Sequence, residues 1–305
     1  MNSQKPDGIS YVDYTWNPVV GCTEISNKCK NCWARSQAHV HYRQEFTHFG
    51  VEGVRWNQRA KFFPERLDEP KKVKKPSRIA VAFMGDLYHE NVAPMAQRLV
   101  FSSIDNTPWH TFLICTARPQ RMCEEITANS MFADFKARPY PNVWLMTSVE
   151  DQANANERIP WLLRTPAHVR GVSAEPLLGS IDFHKIKMGC GWDSISCACS
   201  PRACQHATLD WIVAGGESGP KARPTPPACF REIRDQCSDV GIPFHFKQHG
   251  EWIGYDDIGD LAYDLPAMKP KVYGWPDGRC SYRIGASLSG RMLDGREWLG
   301  LPRVA

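Results

Sequence analysis

Short apolar runs recur along this 305-residue chain, and each is followed by a polar or glycine-containing turn and then by a segment with helical spacing. Strand and helix in regular alternation require parallel pairing through right-handed crossovers, because a tight turn cannot deliver the chain to a parallel neighbour. The pattern predicts strands near Tyr14 to Val19, Ile79 to Met84, Thr111 to Cys115, Val143 to Thr147, Val169 to Ser173, Asp210 to Ala214 and Pro243 to Phe246. Helices are expected over Trp33 to Phe46, from Pro94, from about Gln120, over Asp151 to Leu163 and over Pro227 to Val240. Six or seven parallel strands wound this way make an α/β fold, a complete or partial TIM-like (β/α) barrel. Residues 1–250 are expected to form it, with a Cys-rich insertion at about 186–207 and an irregular C-terminal extension, 251–305, packed on the barrel.

Parallel α/β barrels gather their chemistry at the C-terminal ends of the strands. Here those ends carry Gly85 and Asp86, Thr116 and Arg118, Ser148 and Glu150, Ser173 and Glu175, Gly215 to Ser218, and Lys247 and Gln248. Polar residues at one strand end are ordinary turn composition. Charged or hydroxyl groups after six successive apolar runs imply a lined cavity.

No stretch is apolar for long enough to span a membrane, and the N-terminal MNSQKPDGIS lacks the apolar core of a signal peptide, so the expected address is the cytoplasm. Reduced thiols are the rule there, which turns twelve cysteines away from disulfides and toward metal binding or catalysis. They fall into two clusters, Cys22/Cys29/Cys32 and Cys190/Cys197/Cys199/Cys204, while Cys115, Cys123, Cys229, Cys237 and Cys280 read as small buried hydrophobes. A net charge of +4 admits an anionic partner without the profile of a dedicated nucleic-acid binder. The densest basic run, Lys71, Lys72, Lys74, Lys75 and Arg78, reads as a solvated loop.

The first cluster has the spacing C-x6-C-x2-C at the end of the first strand. Three neighbouring thiolates can hold three irons of a [4Fe-4S] cube and leave the fourth open for chemistry, whereas four would close it. Zinc is the alternative: it needs a fourth ligand, and His39 and His41 follow on the next helix. The loop's place at the mouth of a barrel, facing the other strand ends, favours the cluster.

The run Asn17-Pro18-x-x-Gly21-Cys22, ending Cys32-Trp33-Ala34-Arg35, resembles the cluster loop of radical S-adenosylmethionine (SAM) enzymes, particularly the spore photoproduct lyase-like branch, in which an aromatic residue follows the third cysteine. The usual loop is C-x3-C-x2-C, and here the first gap is longer by three residues. A wider resemblance runs through Gly85-Asp86-Leu87-Tyr88-His89, Thr116-Ala117-Arg118-Pro119, Ser173 to Gly179, Gly215-Gly216-Glu217-Ser218-Gly219 and Phe246-Lys247-Gln248. These are similar to a phage-borne and bacterial family of three-cysteine, radical-SAM-like proteins, mostly of unassigned function.

The resemblance implies that SAM chelates the open iron through its amino and carboxylate groups. An electron from a donor such as flavodoxin or ferredoxin then cleaves it to methionine and a 5′-deoxyadenosyl radical, which takes hydrogen from an unreactive carbon. Under that reading Trp33 packs on the adenine, Ser148 or Glu150 bonds the ribose hydroxyls, and Gly215 and Gly216 admit the methionyl end. Asp86, Arg118, Glu175, Glu217 and Lys247 are left for substrate or for the SAM carboxylate, although each also suits a structural ion pair.

The second cluster, with His206 beside it, is read as a zinc staple, a second iron-sulfur cluster or unligated thiols; its C-x6-C-x-C-x4-C spacing matches no common knuckle. The rival to an enzyme is a zinc-stapled nucleic-acid-binding protein whose tryptophans stack on single strands. For the enzyme, the resemblance points to DNA or a modified nucleobase as substrate, in the host cytoplasm if the chain is phage-encoded. Rearrangement or isomerisation of a modified thymine comes first, and reversal of a DNA lesion second.

Overall fold

The computed structural model describes residues 1–4, 8–51, 53–186, 193–195 and 207–302. The fold is mixed α/β. Eight strands belong to the principal sheet: β1 (Asn2–Ser3), β2 (Tyr14–Trp16), β3 (Arg78–Val81), β4 (Thr111–Thr116), β5 (Val143–Ser148), β6 (Val169–Ala174), β7 (Trp211–Gly215) and β8 (Phe244–Gln248). Their sheet order is their chain order, the connectivity of a (β/α) barrel, and a sheet with two end strands corresponds to the partial form. The main intervening helices are α1 (Trp33–Tyr42), α2 (Pro94–Asp105), α3 (Pro119–Ala128), α4 (Gln152–Arg164) and α5 (Pro227–Val240), of which α2, α3 and α5 start on proline. Among the described residues no helix is long and apolar enough to cross a membrane.

Two compact units make up the chain. The first comprises Met1–Ser148 and Trp161–Gly171. In it β1 pairs antiparallel with β2, and β2, β3, β4 and β5 pair parallel in succession, with Trp16 opposite Val81 and Val81 opposite Ile114. Every residue of β5 is buried, as are Ile79, Ala80 and Val81 of β3. Strands covered on both faces need apolar side chains at consecutive positions, which is why they read in the sequence as runs and not as alternation. α1 ends at Tyr42, earlier than its helical spacing suggests, and a short 3-10 turn, Arg43–Glu45, follows. The reason is Phe46, which turns into a core with Val20, Trp56 and Phe63 and starts an antiparallel hairpin of Thr47–Gly50 with Gly53–Trp56. Of the basic run expected as a solvated loop, Lys71, Lys72, Lys74 and Lys75 are exposed, with Lys71 paired to Asp68 at 2.7 Å, but Lys71 and Lys72 close a short helix, Glu69–Lys72, and Arg78 is half-buried as the first residue of β3.

The second unit comprises Val149–Pro160 and the chain from Val172 onward. β7 and β8 pair parallel, with a register shift between Ala214 and Gly215. Along β8 runs the C-terminal segment: Phe246 N–H donates to Trp298 O at 2.8 Å, Gly300 N–H donates to Phe244 O at 2.9 Å, and His245 bridges Leu299 antiparallel. The C-terminal extension, expected to be irregular, holds a three-stranded antiparallel sheet of β9 (Trp252–Gly254), β10 (Lys271–Gly274) and β11 (Cys280–Arg283), with β11 central. Arg231 on α5 ties this region down through Asp257 at 2.7 Å and Asp294 at 2.6 Å. Cys123, Cys229 and Cys237 are buried as expected, whereas Cys115 and Cys280 are half-buried. Cys190, Cys197, Cys199, Cys204 and His206 lie outside the described residues.

Candidate functional site

In the first unit the chain leaves β2, passes Val19 and Val20, and reaches Gly21 in a conformation that favours glycine, φ +99°. Two constraints fix glycine here: a Cβ would stand 2.1 Å from the Arg59 carbonyl oxygen, and the Gly21 backbone packs against Gly85, to which it is bridged. A Cβ on Gly85 would meet Gly21 O at 2.8 Å. Cys22 therefore leaves a backbone clamped to the end of β3, with Gly21 N–H donating to Met84 O at 3.1 Å. On its other side Thr23 Oγ1 meets His89 Nε2 at 2.7 Å. His89 Nδ1 accepts the Asn91 N–H at 3.1 Å, so the ring is the neutral tautomer with its proton on Nε2. Burial, and then the charge of Arg118, hold His89 below the usual histidine range.

Cys29 and Cys32 sit on a 3-10 turn, Asn27–Asn31, and the first residue after it, immediately before α1. A buried arginine on α1 organises this turn: Arg35 donates to Cys29 O at 3.0 Å and Lys30 O at 2.5 Å, and pairs with Glu24, which also pairs with Arg55 at 2.8 Å. Sequence reasoning gave Arg35 no role beyond closing the motif and passed over Glu24; the signal available was an arginine three positions after the last cysteine, one helical turn away.

Burial pushes the Cys22 thiol up to about 12, with Asp86 acting the same way and Arg118 opposing. Burial also raises Cys32, against backbone hydrogen bonds from Arg35 and Ala34 at the start of α1. All three cysteines are free of disulfides and half-buried. Cys32 acts electrostatically on Cys22, and Cys29 acts on Cys32, so the three sulfurs share one neighbourhood. Among the described residues no group of three or more His, Cys, Asp or Glu side chains is gathered tightly enough to hold a single metal ion. A four-iron cube spreads its thiolates wider than one tetrahedral ion does, and three soft donors with no carboxylate among them suit iron-sulfur chemistry. The donor set fits a [4Fe-4S] group held by Cys22, Cys29 and Cys32.

The groups proposed from the ends of β3 and β4 come together beside Cys22. Asp86 accepts from Thr116 Oγ1 at 2.7 Å, from Tyr88 N–H at 2.9 Å and from Arg118 Nη1 at 3.0 Å. Arg118 also donates from Nε to Glu90 at 2.7 Å, and its Nη1 lies 3.7 Å from Cys22 Sγ. Glu90 and His89 were not singled out from the sequence. Trp33 is 46% exposed next to Cys32, an uncommon placement for so large an apolar ring. Ser148, the last residue of β5, is buried.

In the second unit the remaining expected residues are engaged within the chain. Glu150 is 0% exposed and paired with Arg158 at 3.3 Å. Glu217 takes three hydrogen bonds from Arg223, through the backbone N–H at 2.8 Å, Nε at 2.9 Å and Nη2 at 2.6 Å. Glu175 pairs with Lys247 at 3.1 Å and accepts from Ser173 Oγ at 3.1 Å. A Cβ on Gly215 would meet Glu175 Oε1 at 3.0 Å. At Gly216 the close approach is made by the protein's own backbone, since a Cβ there would lie 1.8 Å from His249 O, and its N–H already donates to Gln248 O at 2.9 Å.

His249 packs against the rings of Phe230 and Phe246 and bonds Met292 O at 2.7 Å. Burial drives its imidazole below the usual histidine value. The unfolded chain therefore takes up the proton first as pH falls below about 6.5, so the stability His249 contributes is complete above that value and is lost on descent toward the folded value. Chemical denaturation should give a lower midpoint at pH 5.5 than at pH 7.5, and His249→Gln should shrink that difference. His89 acts in the same direction.

Among solved structures, spore photoproduct lyase complexed with dinucleoside spore photoproduct is similar over 92% of this chain and 70% of that chain, at 11% identity and a TM-score of 0.41. A variant of that lyase with bound AdoMet and dinucleoside spore photoproduct matches over 92% and 72%, at 11% identity and a TM-score of 0.40. Likeness of this degree carries nothing about the chemistry of this chain. No curated protein matches the sequence. A family model described as a protein of unknown function, DUF5131, matches residues 6–302, and the chain belongs to that family.

Proposed function

We propose that the protein is a radical SAM enzyme whose [4Fe-4S] cluster is held by Cys22, Cys29 and Cys32, acting on a nucleobase in DNA to rearrange or isomerise a modified thymine. One observation carries the first part: the loop from Cys22 to Cys32 contains three cysteines and no fourth, and Arg35, Gly21 and Arg118 hold it at the ends of β2, β3 and β4. The substrate class follows from the resemblance of that loop to the photoproduct lyase-like branch. When bound, the cluster supplies the electron that cleaves SAM to a 5′-deoxyadenosyl radical.

This chain's own residues then bind, orient and exclude water. Trp33 offers an aromatic surface beside the third ligand for an adenine. The apolar residues behind the loop, Val20, Phe46, Phe63 and Met84, keep water from the cysteines on the core side.

The test is anaerobic purification followed by iron and sulfide analysis and labelled-SAM turnover against DNA carrying candidate modified bases. Brown protein with about four irons per chain and formation of 5′-deoxyadenosine are expected. Colourless, zinc-loaded protein that leaves SAM intact would overturn the reading in favour of a zinc-stapled binding protein. Trp33→Ala should weaken SAM binding by about fivefold to a few hundredfold while iron content stays constant, as loss of one stacked and buried aromatic implies. Equilibrium binding on cluster-loaded protein checks it.

A further inference from the structure

The three cysteines are held in two different ways. Cys29 and Cys32 are organised by a near neighbour in sequence, Arg35. Cys22 is held at long range, by Gly85 through the Gly21 backbone on one side, by His89 through the Thr23 hydroxyl on the other, and by Arg118 at the sulfur. Arg118 is buried, and its donors are almost fully assigned: Nε to Glu90, Nη1 to Asp86 and toward Cys22, with only Nη2 buried and lacking a hydrogen-bond partner.

One guanidinium flanked by two carboxylates already leaves a net negative charge in the site. A ligand carboxylate brought to Arg118 would add another in surroundings poor in water, so the arrangement disfavours the anion-binding role that a strand-end arginine first suggests. A sulfur ligand is different. It needs donors, and Arg118 presents one N–H toward it and a second without a partner.

We propose that Arg118 is a positioning residue for the cluster, clamping Cys22 from outside the ligand shell and setting the cluster's potential by hydrogen bonds to sulfur. This rests on the three-cysteine reading above. It also accounts for the long first gap of the motif, because a ligand separated from the next by six intervening residues needs anchoring that the loop itself does not supply. Donors and positive charge at a ligand sulfur favour the reduced, more negative cluster, so Arg118 raises the potential.

The experiment uses the full-length protein, reconstituted anaerobically, with redox titration followed by electron paramagnetic resonance and with iron release to a chelator. Arg118→Gln should release iron about 10-fold to 100-fold faster and titrate at a more negative potential than the unsubstituted protein. Arg118→Lys keeps a positive charge between Asp86 and Glu90 and so keeps the fold, but one ammonium cannot serve both carboxylates and the sulfur; it should fall between the two on both readouts. Unchanged potential and release rate in Arg118→Gln, or in a folded Arg118→Lys where the Gln variant does not fold, would overturn the proposal. So would a loss of SAM affinity with no change in potential, which marks a ligand anchor. If the unsubstituted protein takes up no [4Fe-4S] cluster, it is the cluster reading that has failed, a result separate from a loaded cluster indifferent to Arg118.

Discussion

Cys29→Ala should abolish both cluster loading and SAM cleavage while the protein keeps its fold. Cys29 lies on a short 3-10 turn whose own side chain is half-buried, and Arg35 holds the turn through main-chain carbonyls that the substitution leaves in place. Cys22→Ala and Cys32→Ala should lose the cluster equally, with a larger drop in stability, because these two side chains pack against the core of Val20, Phe46 and Phe63. Iron and sulfide per chain, the visible absorbance and circular dichroism on the same samples separate the two effects. A Cys29→Ala protein that retains full SAM turnover would remove the cluster assignment.

Gly216→Ala should damage the protein through the backbone and not through a ligand. The new Cβ would sit 1.8 Å from His249 O and 2.6 Å from His249 C, atoms of main chain that have no rotamer to escape into. β7 and β8 would have to separate at their C-terminal ends, where Gly216 N–H bonds Gln248 O. Overpacking against backbone costs about 3 kcal/mol or more, so the denaturation midpoint should fall well below that of the unsubstituted protein. Gly219→Ala is the control, since a Cβ there meets nothing within 4 Å, leaving only the backbone strain of its φ of +99°. A Gly216→Ala protein of ordinary stability with impaired SAM binding would show that the glycine serves a ligand after all.

The strands and helices of the α/β body were legible because each is punctuated. α5 runs from Pro227 to Val240 as its proline start and the αL glycine after it, Gly241, indicate. β5 could be placed because it is apolar at successive positions before turning polar at Thr147 and Ser148. Periodicity failed where elements are too short to show a period, as with the three-residue and four-residue strands of the C-terminal sheet. The hairpin after α1 failed for another reason, since the sequence joining its two strands carries none of the usual Asn-Gly or Asp-Gly signals.

For the site, the cysteines were legible by residue type and spacing, and the strand-end carboxylates by position. Their partners were not. Arg158 follows Glu150 by about two helical turns and Arg223 follows Glu217 across a loop, and nothing in either segment distinguishes an acid that greets a ligand from one already paired. Such pairs are set by the fold that brings them together, so strand-end polarity located the groups and overcounted those left to act.

The C-terminal segment 298–300 also bears on how copies of this protein behave when crowded. By bonding Phe244 and Phe246 of β8 it uses the row of main-chain donors and acceptors on which a second chain could otherwise add a strand. Gly300 fits there because a Cβ would meet Phe244 O at 2.6 Å, and its own carbonyl oxygen is taken by the Trp211 indole N–H at 2.8 Å. Shortening the chain ahead of Trp298 would therefore expose a five-residue edge of Phe, His, Phe, Lys and Gln, and incline the protein to polymerise by sheet extension.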